Sequence, residues 1–559
     1  MNYLLAKKGE RVGDIIAFVL YFLIVIGIGV YFFLRGLKDK AQSGEKGFFL
    51  GGRKMNGLIS ALSAGASDMS AWVLMGLPGS IYLYGIGQVW ISIGLLIGTV
   101  CAWIFVAPKL RRYSILANDS ITIPQYLTNR FKSKSKVLQI ASAIIFVVVY
   151  CVYGASSIKA CGTLFNTLFG MNERIAMTIS TLIIISYLFL GGFNAVCWTD
   201  FLQGMIMLLA LMLTPIVAVA VMHVPTTGTG TPAHFYNLLS SGKLNWASIA
   251  TILTGLGWGL GYFGMPHIIV RYMSIKSEKE MKKSKIIGST WTFLILLLAT
   301  VVALVGRKYL GNALNKDTAS TVFIRLARES FPIFIGGLII TAILAASMST
   351  ADSQLLASSS AFASDVYKTS IRKQASDREV MWVGRIVVVV ASLIAFMIAM
   401  LGVGDDPIVP AFSTIMTLVS AAWAAFGAAF GPVILLSLYN RRVNYKGATA
   451  GIITGFVVDI LWMILFNLDY YDMTSLVYNT GLYEIIPGFI AGLVTMLVVS
   501  YLTDKPSEEV TSLYDKVRAA KSVEVDEDGV ALVDGVPFER EEIAVAEEVV
   551  ADADAESEE

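Results

Sequence analysis

A single acid interrupts the stretch GLISALSAGASDMSAWVLMGLPGS, residues 57–80, which is otherwise dense in Gly, Ala and Ser. An ionised carboxylate at the centre of a bilayer costs at least ~2.5 kcal/mol on insertion scales, which makes Asp68 a functional candidate. Its charge partner would be a bound cation or an inner base such as Arg53; a structural ion pair is the alternative. A second segment, ILAASMSTADSQLLASSS at 343–360, places Ala346, Ser349 and Thr350 at i, i+3 and i+4, on one helical face. Sodium is a hard cation that wants several oxygen ligands, and neutral hydroxyls and carbonyls hold it without trapping it. Ala66 and Met69, three apart, would add two carbonyls if their helix unwinds locally. The alternative is that the serines pack helices or bond back to their own carbonyls. A third segment, ILTGLGWGLGYFGMPHIIV at 252–270, carries glycines 255, 257, 259, 261 and 264 and then Pro266. Trp258 and Tyr262, at i and i+4, share one face there, as walls for an apolar ligand or as ordinary packing.

These residues must be held by membrane helices. The chain is 56% hydrophobic and 15% charged, with a mean hydropathy of +0.68, where a soluble protein carries about a quarter charged residues. Runs such as 14–33 and 386–404 are long enough to cross a hydrocarbon core ~30 Å thick, and they lack the alternation of barrel strands. The fold class is therefore an all-α integral membrane protein. Hydropathy places thirteen spans, at 13–35, 55–84, 87–108, 137–167, 174–193, 195–222, 247–270, 285–306, 332–366, 383–403, 408–437, 446–467 and 484–502. The first is too long for a signal-peptide h-region and is read as a retained span. The second and seventh, five apart, are both interrupted by small residues. Two such spans in corresponding places point to an inverted-repeat transporter with its site near the midplane. The division is then an N-terminal span and loop (1–54), a first repeat of five spans (55–222), a second (247–437), two further spans (446–502) and a tail (503–559).

Loop charge sets the orientation. Loop 36–54 holds Lys38, Lys40, Lys46, Arg53 and Lys54, and 109–136 holds Lys109, Arg111, Arg112, Arg130, Lys132, Lys134 and Lys136. Loop 271–285 holds Arg271, Lys276, Lys279, Lys282, Lys283 and Lys285, and 367–385 and 438–446 are also basic. These alternate loops belong in the cytoplasm by the positive-inside rule, which leaves the N-terminus outside. The opposite loops are poorer in base: 404–407 carries Asp405 and Asp406, and 468–483 has acids only. Loop 307–331, with Arg307, Lys308, Lys316, Arg325 and Arg328, fits badly. The tail from Thr503 holds 19 acidic and 5 basic residues, a composition that predicts a disordered cytoplasmic segment. Four cysteines at no ligand-like spacing and three scattered histidines exclude a transition-metal site.

The stretch GGRKMNGLISALSAGASDMSAWVLMGLPGS resembles the second span of the sodium/solute symporter family, in its bacterial sodium/proline branch. YLFLGGFNAVCWTDFLQG, GLGWGLGYFGMPHIIVRYM and ILAASMSTADSQLL match the same branch, and the resemblance runs from about 14 to 502. It implies a sodium site of the Ala66, Met69 and Ala346 carbonyls with the Ser349 and Thr350 hydroxyls, and Asp68 as the acid that sets sodium affinity. It implies proline beside Ser70, Ala71, Trp72, Tyr150, Trp258, Tyr262 and Pro266. Arg53 and Asp200 match charged positions near the inner face, with gating or coupling as their implied role and interfacial anchoring as the alternative. Where the proline branch carries Gly after the motif Ser, this chain has Ala71. The resemblance further implies import of L-proline with Na+ by alternating access across a bacterial cytoplasmic membrane, with the lipid bilayer as surroundings. No cofactor, no nucleic acid and no obligate protein partner is implied. A symporter of another amino acid or a monocarboxylate is the nearest rival. A transporter-like sensor would need an output domain, and the tail shows no catalytic pattern. An enzyme would need a nucleophile–base pair, metal cluster or phosphate loop, and none is visible.

Overall fold

The computed structural model describes residues 10–38, 44–133, 135–223, 230–316, 318–404, 407–468, 477, 479–526 and 529–538. Asp405, Asp406, Lys40, Lys134, most of loop 468–483 and the tail beyond Phe538 lie outside the described residues. Ten helices are long and apolar enough to cross a membrane, or eleven when the bent pair Gly57–Asp68 and Trp72–Tyr84 counts as one span. The expected thirteen is not reached on that criterion, for two local reasons. The stretch 174–193 runs into one long helix, Glu173–Val221, divided at Gly192 where φ is +62°. The stretch 247–270 is cut into short pieces. Several long helices show an apolar face to the outside: Ile386, Val390, Leu393 and Met397 are exposed on one stripe of Asp377–Leu401, while Val388, Ala391, Ala395 and Ala399 are buried. Such a stripe suits lipid tails rather than water.

The first broken span begins at Asn56, whose side chain accepts from the Ile59 amide at 2.9 Å and so caps the helix Gly57–Asp68. The helix stops at Met69, with φ −80° and ψ 68°. A wide turn over Trp72–Gly76 restarts it, Leu77–Tyr84 completes it, and the two parts are bent by 60°. The second broken span is Trp246–Gly257, a tight 3-10 segment Trp258–Phe263, and Pro266–Ser274, where proline opens the last piece without loss of a bonded amide. Its glycines do two jobs. Gly255 and Gly259 let its backbone meet the helix Val89–Cys101: a Cβ on Gly98 would stand 2.2 Å from the Gly259 carbonyl oxygen, and one on Gly94 2.2 Å from that of Gly255. Small-residue packing and helix breaking therefore coexist in one span. Gly98→Ala is expected to destabilise the fold by about 1–3 kcal/mol or more, because backbone rather than a flexible side chain must yield; thermal unfolding in detergent reads this.

The basic loops meet at one end of the molecule, together with the tail. Arg53 and Lys46 pair with Asp119, and Lys368 pairs with Glu45. The poorly fitting charges of 307–331 are engaged at the far end: Arg328 pairs with Asp14, and Arg307 lies over the Tyr82 ring at 5.2 Å. Disorder expected of the whole tail is corrected for residues 503–526 and 529–538. Glu508–Ala519 is a helix that buries Val510, Leu513, Tyr514 and Val517, and Val523–Val525, Ala531–Val533 and Val536–Pro537 form an antiparallel sheet, β1 to β3. Acidic groups that would repel one another in an isolated tail here face basic loops. Arg111 donates to the Val523 carbonyl (2.6 Å) and Glu524 (3.0 Å), Arg112 to the Ala520 carbonyl (2.9 Å), and Arg441 pairs with Asp515 (2.8 Å), whose carboxyl it holds below the usual carboxylate range. Lys516, Arg518 and Lys521 are accordingly expected to resist limited trypsin digestion in the native protein and to be cut at once after denaturation. Equal rates in both states would show a tail as loose as its composition predicts.

Candidate functional site

The break after Asp68 releases particular carbonyls. In an unbroken helix the Ser70 amide would bond to the Ala66 oxygen and the Val73 amide to that of Met69. Here the Ser70 amide turns to the Asp68 oxygen (2.9 Å) and the Val73 amide to that of Ser70 (3.1 Å). Ala66 and Met69, two of the predicted ligands, are thus freed from the helical ladder. The Ala66 oxygen is met by the Ser349 hydroxyl at 2.9 Å, and the same hydroxyl lies 3.1 Å from the Ala346 oxygen. Thr350 follows on the helix Ile333–Ser360; its hydroxyl is buried and has no hydrogen-bond partner among the described residues. Four of the five predicted ligands therefore lie at one junction or the next residue along, and Met69 stands at the break itself. A buried hydroxyl without a partner among the described residues and carbonyls released from the ladder are oxygen groups of the kind a sodium ion takes as ligands.

Asp68 is buried, and one of its oxygens accepts the Tyr262 hydroxyl while the other has no hydrogen-bond partner among the described residues. The contact joins the two broken spans directly. Arg53, offered above as a partner of Asp68, is not that partner. It is buried at the tail end, with its Nε on Asp119 (2.8 Å) and its Nη atoms on Ser114 Oγ (3.0 Å) and the carbonyls of Met273 (2.6 Å) and Ser120 (2.7 Å). It fastens the loop before the first broken span to the end of the second.

The predicted substrate residues fall into two joined groups. Trp72 and Trp258 have ring centroids 5.9 Å apart, Trp258 stacks with Trp423 at 6.3 Å, and Tyr262 meets Trp423 edge-on at 5.2 Å. Tyr150 accepts the His267 amide at 2.8 Å, beside Pro266, and packs on Phe426 at 4.5 Å. Ser70 and Ala71 lie buried at the turn between Asp68 and Trp72. Trp258 also lines a cavity of about 410 Å³ at the end away from the tail, with Ser80, Gln88, Ser420 and Tyr483. Towards the tail, Pro266 lines only a narrow cleft with Phe49, Thr122 and Arg271.

Sequence reasoning missed Arg271. Counted above as a loop charge, it lies fully inside the protein on Pro266–Ser274. It pairs with Asp200 (2.9 Å), donates to Ser63 Oγ (2.7 Å) and also bonds Ser353 Oγ and the His267 carbonyl. Asp200 takes the Ser63 hydroxyl as well, at 2.6 Å. Asp200 is thus placed in a network that ties both broken spans to the serine-rich helix one turn beyond Ser349. The available signal was position: Arg271 follows the apolar HIIV of a broken span, where a short helix can still be inside.

Residues 48–455 match the description of the sodium:solute symporter family. The high-affinity proline transporter PutP of Bacillus subtilis is 41% identical over 480 residues, 85% of this chain and 96% of that relative. The chain belongs to the sodium:solute symporter family. Other relatives are the osmoregulated proline transporter OpuE of Bacillus subtilis, 38% identical over 89% of this chain and 97% of its own length, and the sodium/proline symporter of Staphylococcus aureus, 39% identical over 90% and 95%. In fold, this family member is similar to a solved Na+-coupled sialic acid symporter in a substrate-bound, outward-open state, with TM-score 0.71 at 19% identity over 89% of this chain and 99% of that one. It is a multi-pass membrane transporter, not an enzyme. At the symporter motif, Ala71 has φ −53° and ψ −19°, an ordinary right-handed conformation. The position therefore makes no demand for glycine's backbone freedom.

Proposed function

We propose that the protein imports L-proline together with sodium ions by alternating access. The observation that carries the coupling is the meeting of the Ser349 hydroxyl with the Ala66 carbonyl, because a cation drawn into that junction would hold the serine-rich helix to the first broken span. Relatives that are proline transporters, matched over most of the chain, support the substrate. Sodium would sit among Ala66, Met69, Ala346, Ser349 and Thr350, with Asp68 setting its affinity through charge and through Tyr262. Proline's ring would lie against Trp72, Trp258 and Tyr262, with Ser70, Ala71, Tyr150 and Pro266 around it; an apolar ring suits aromatic walls and a few fixed polar groups orient the rest. The two repeats would be 55–222 and 247–437. The basic loops gathered beside the tail support a cytoplasmic tail, an external N-terminus and a bacterial cytoplasmic membrane. Charge movement adds ~2.3 kcal/mol per 100 mV for each sodium ion driven inward. The test is uptake of labelled proline into proteoliposomes with and without an inward sodium gradient. Uptake indifferent to sodium would overturn the coupling, and sodium-driven uptake of a different solute would overturn the substrate.

A further inference from the structure

Tyr483 stands just before the last long helix, Ile485–Leu502, beyond the second repeat, yet it reaches the proposed pocket. The chain there folds back across the first half of the second broken span. The Tyr483 amide donates to Thr254 Oγ1 (3.1 Å), Thr254 in turn donates to the Gly481 carbonyl (2.9 Å), and Trp246 Nε1 donates to the Thr480 carbonyl (3.0 Å). The Tyr483 hydroxyl donates to the Ser420 carbonyl at 2.6 Å, on the helix Ile415–Tyr439. Held from both sides, the ring stacks on Trp258 with centroids 5.0 Å apart and planes 26° off parallel. From the helix Ile415–Tyr439, Trp423 also stacks on Trp258 and donates its indole N–H to the Trp258 carbonyl (2.8 Å).

Trp258 is thus gripped by aromatic neighbours, and Tyr483 is the one at the cavity. Both line the space of about 410 Å³, and they are 3% and 6% exposed. Of the seven proposed substrate residues, the other six do not line it. The Trp258–Tyr483 pair therefore stands where that cavity meets the proposed pocket. We propose that Tyr483 is a positioning residue for the substrate: its ring fixes Trp258 in the pocket wall and seals the pocket from the cavity. The wall opens when 480–483 leaves Trp246, Thr254, Ser420 and Asn467, whose side chain donates to the Leu482 carbonyl (2.6 Å), through neutral hydrogen bonds that water can replace singly. This inference rests on the substrate reading above, and it assigns residues 480–483, beyond the second repeat, a part in access.

The test uses the full chain in proteoliposomes. Tyr483→Ala is expected to raise the proline concentration for half-maximal uptake about tenfold, which corresponds to ~1.4 kcal/mol, the upper range for an aromatic pair. Half-maximal sodium should stay within about twofold, and Tyr483→Phe should stay within about twofold for both, since it keeps the ring. Tyr483→Leu, which fills the space without the ring, should behave as Ala and serves if Ala fails to fold. The seal is read separately. In a chain with Cys101, Cys151, Cys161 and Cys197 replaced by Ala, a cysteine introduced by Ala71→Cys should react with an impermeant thiol reagent from the cavity side about tenfold faster once Tyr483→Ala is added. Proline dependence unchanged in both Ala and Leu variants overturns the positioning role, as does an equal effect of Phe and Ala. Unchanged thiol labelling overturns the seal. A wild-type chain that takes up no proline overturns the proline reading alone, and labelling still decides on Tyr483.

Discussion

Arg271→Gln is expected to destabilise the protein by about 3–5 kcal/mol, the usual consequence of removing one partner from a buried ion pair. The variant leaves Asp200, itself fully buried, without its guanidinium, and takes donors from Ser63, Ser353 and the His267 carbonyl. The loss arises from the uncompensated carboxylate more than from any net attraction of the pair. It follows that Asp200→Asn added to Arg271→Gln should recover a good part of the loss, because neither charge is then stranded. Unfolding in detergent of both single variants and the double closes the cycle. Strictly additive losses would overturn the coupling inferred from the 2.9 Å contact. Sodium dependence should worsen along with stability, since the network anchors Ser353 on the same helix that carries Ser349 and Thr350.

The same arginine shows what the sequence could and could not reveal. Counting bases in alternate loops grouped residues that do gather at one end of the molecule, Lys46, Arg53, Arg111, Arg112 and Arg441 among them. A count by sequence position cannot tell a loop charge from one swallowed by a short helix, and Arg111, Arg130 and Arg271 are all buried. Their partners, the tail and Asp200, are remote in sequence, so no local pattern announces them. The broken spans were legible because glycine and proline act locally, on the helix that contains them. Asp68 was legible because a lone acid in apolar sequence has no cheap explanation, while its partner Tyr262 was seen only as an aromatic wall. In the tail, net charge concealed an amphipathic stripe: Val510, Leu513, Tyr514 and Val517 recur at helical spacing, and their acidic neighbours find bases elsewhere in the fold.

Thr350→Ala and Ser349→Ala are each expected to raise the sodium concentration for half-maximal proline uptake about tenfold or more, the equivalent of losing ~1.4 kcal/mol from one ion–oxygen contact. The two changes should differ in what else they do. The Ser349 hydroxyl bridges the Ala66 and Ala346 oxygens, so its removal also loosens the joint between the serine-rich helix and the first broken span. Thr350 makes no such bond; its buried hydroxyl has no protein partner among the described residues, and keeping it there without one carries a desolvation penalty of about 1–3 kcal/mol. Thr350→Ala removes that penalty together with the proposed ligand. The sodium-free protein should therefore be as stable as wild type or slightly more so, while the stabilisation gained on adding sodium shrinks. Ser349→Ala should lower stability in both conditions. Thermal unfolding at zero and saturating sodium, run beside the uptake assay, separates the two. A Thr350→Ala protein that is destabilised without sodium and keeps its full sodium response would remove Thr350 from the site and leave its hydroxyl a packing group.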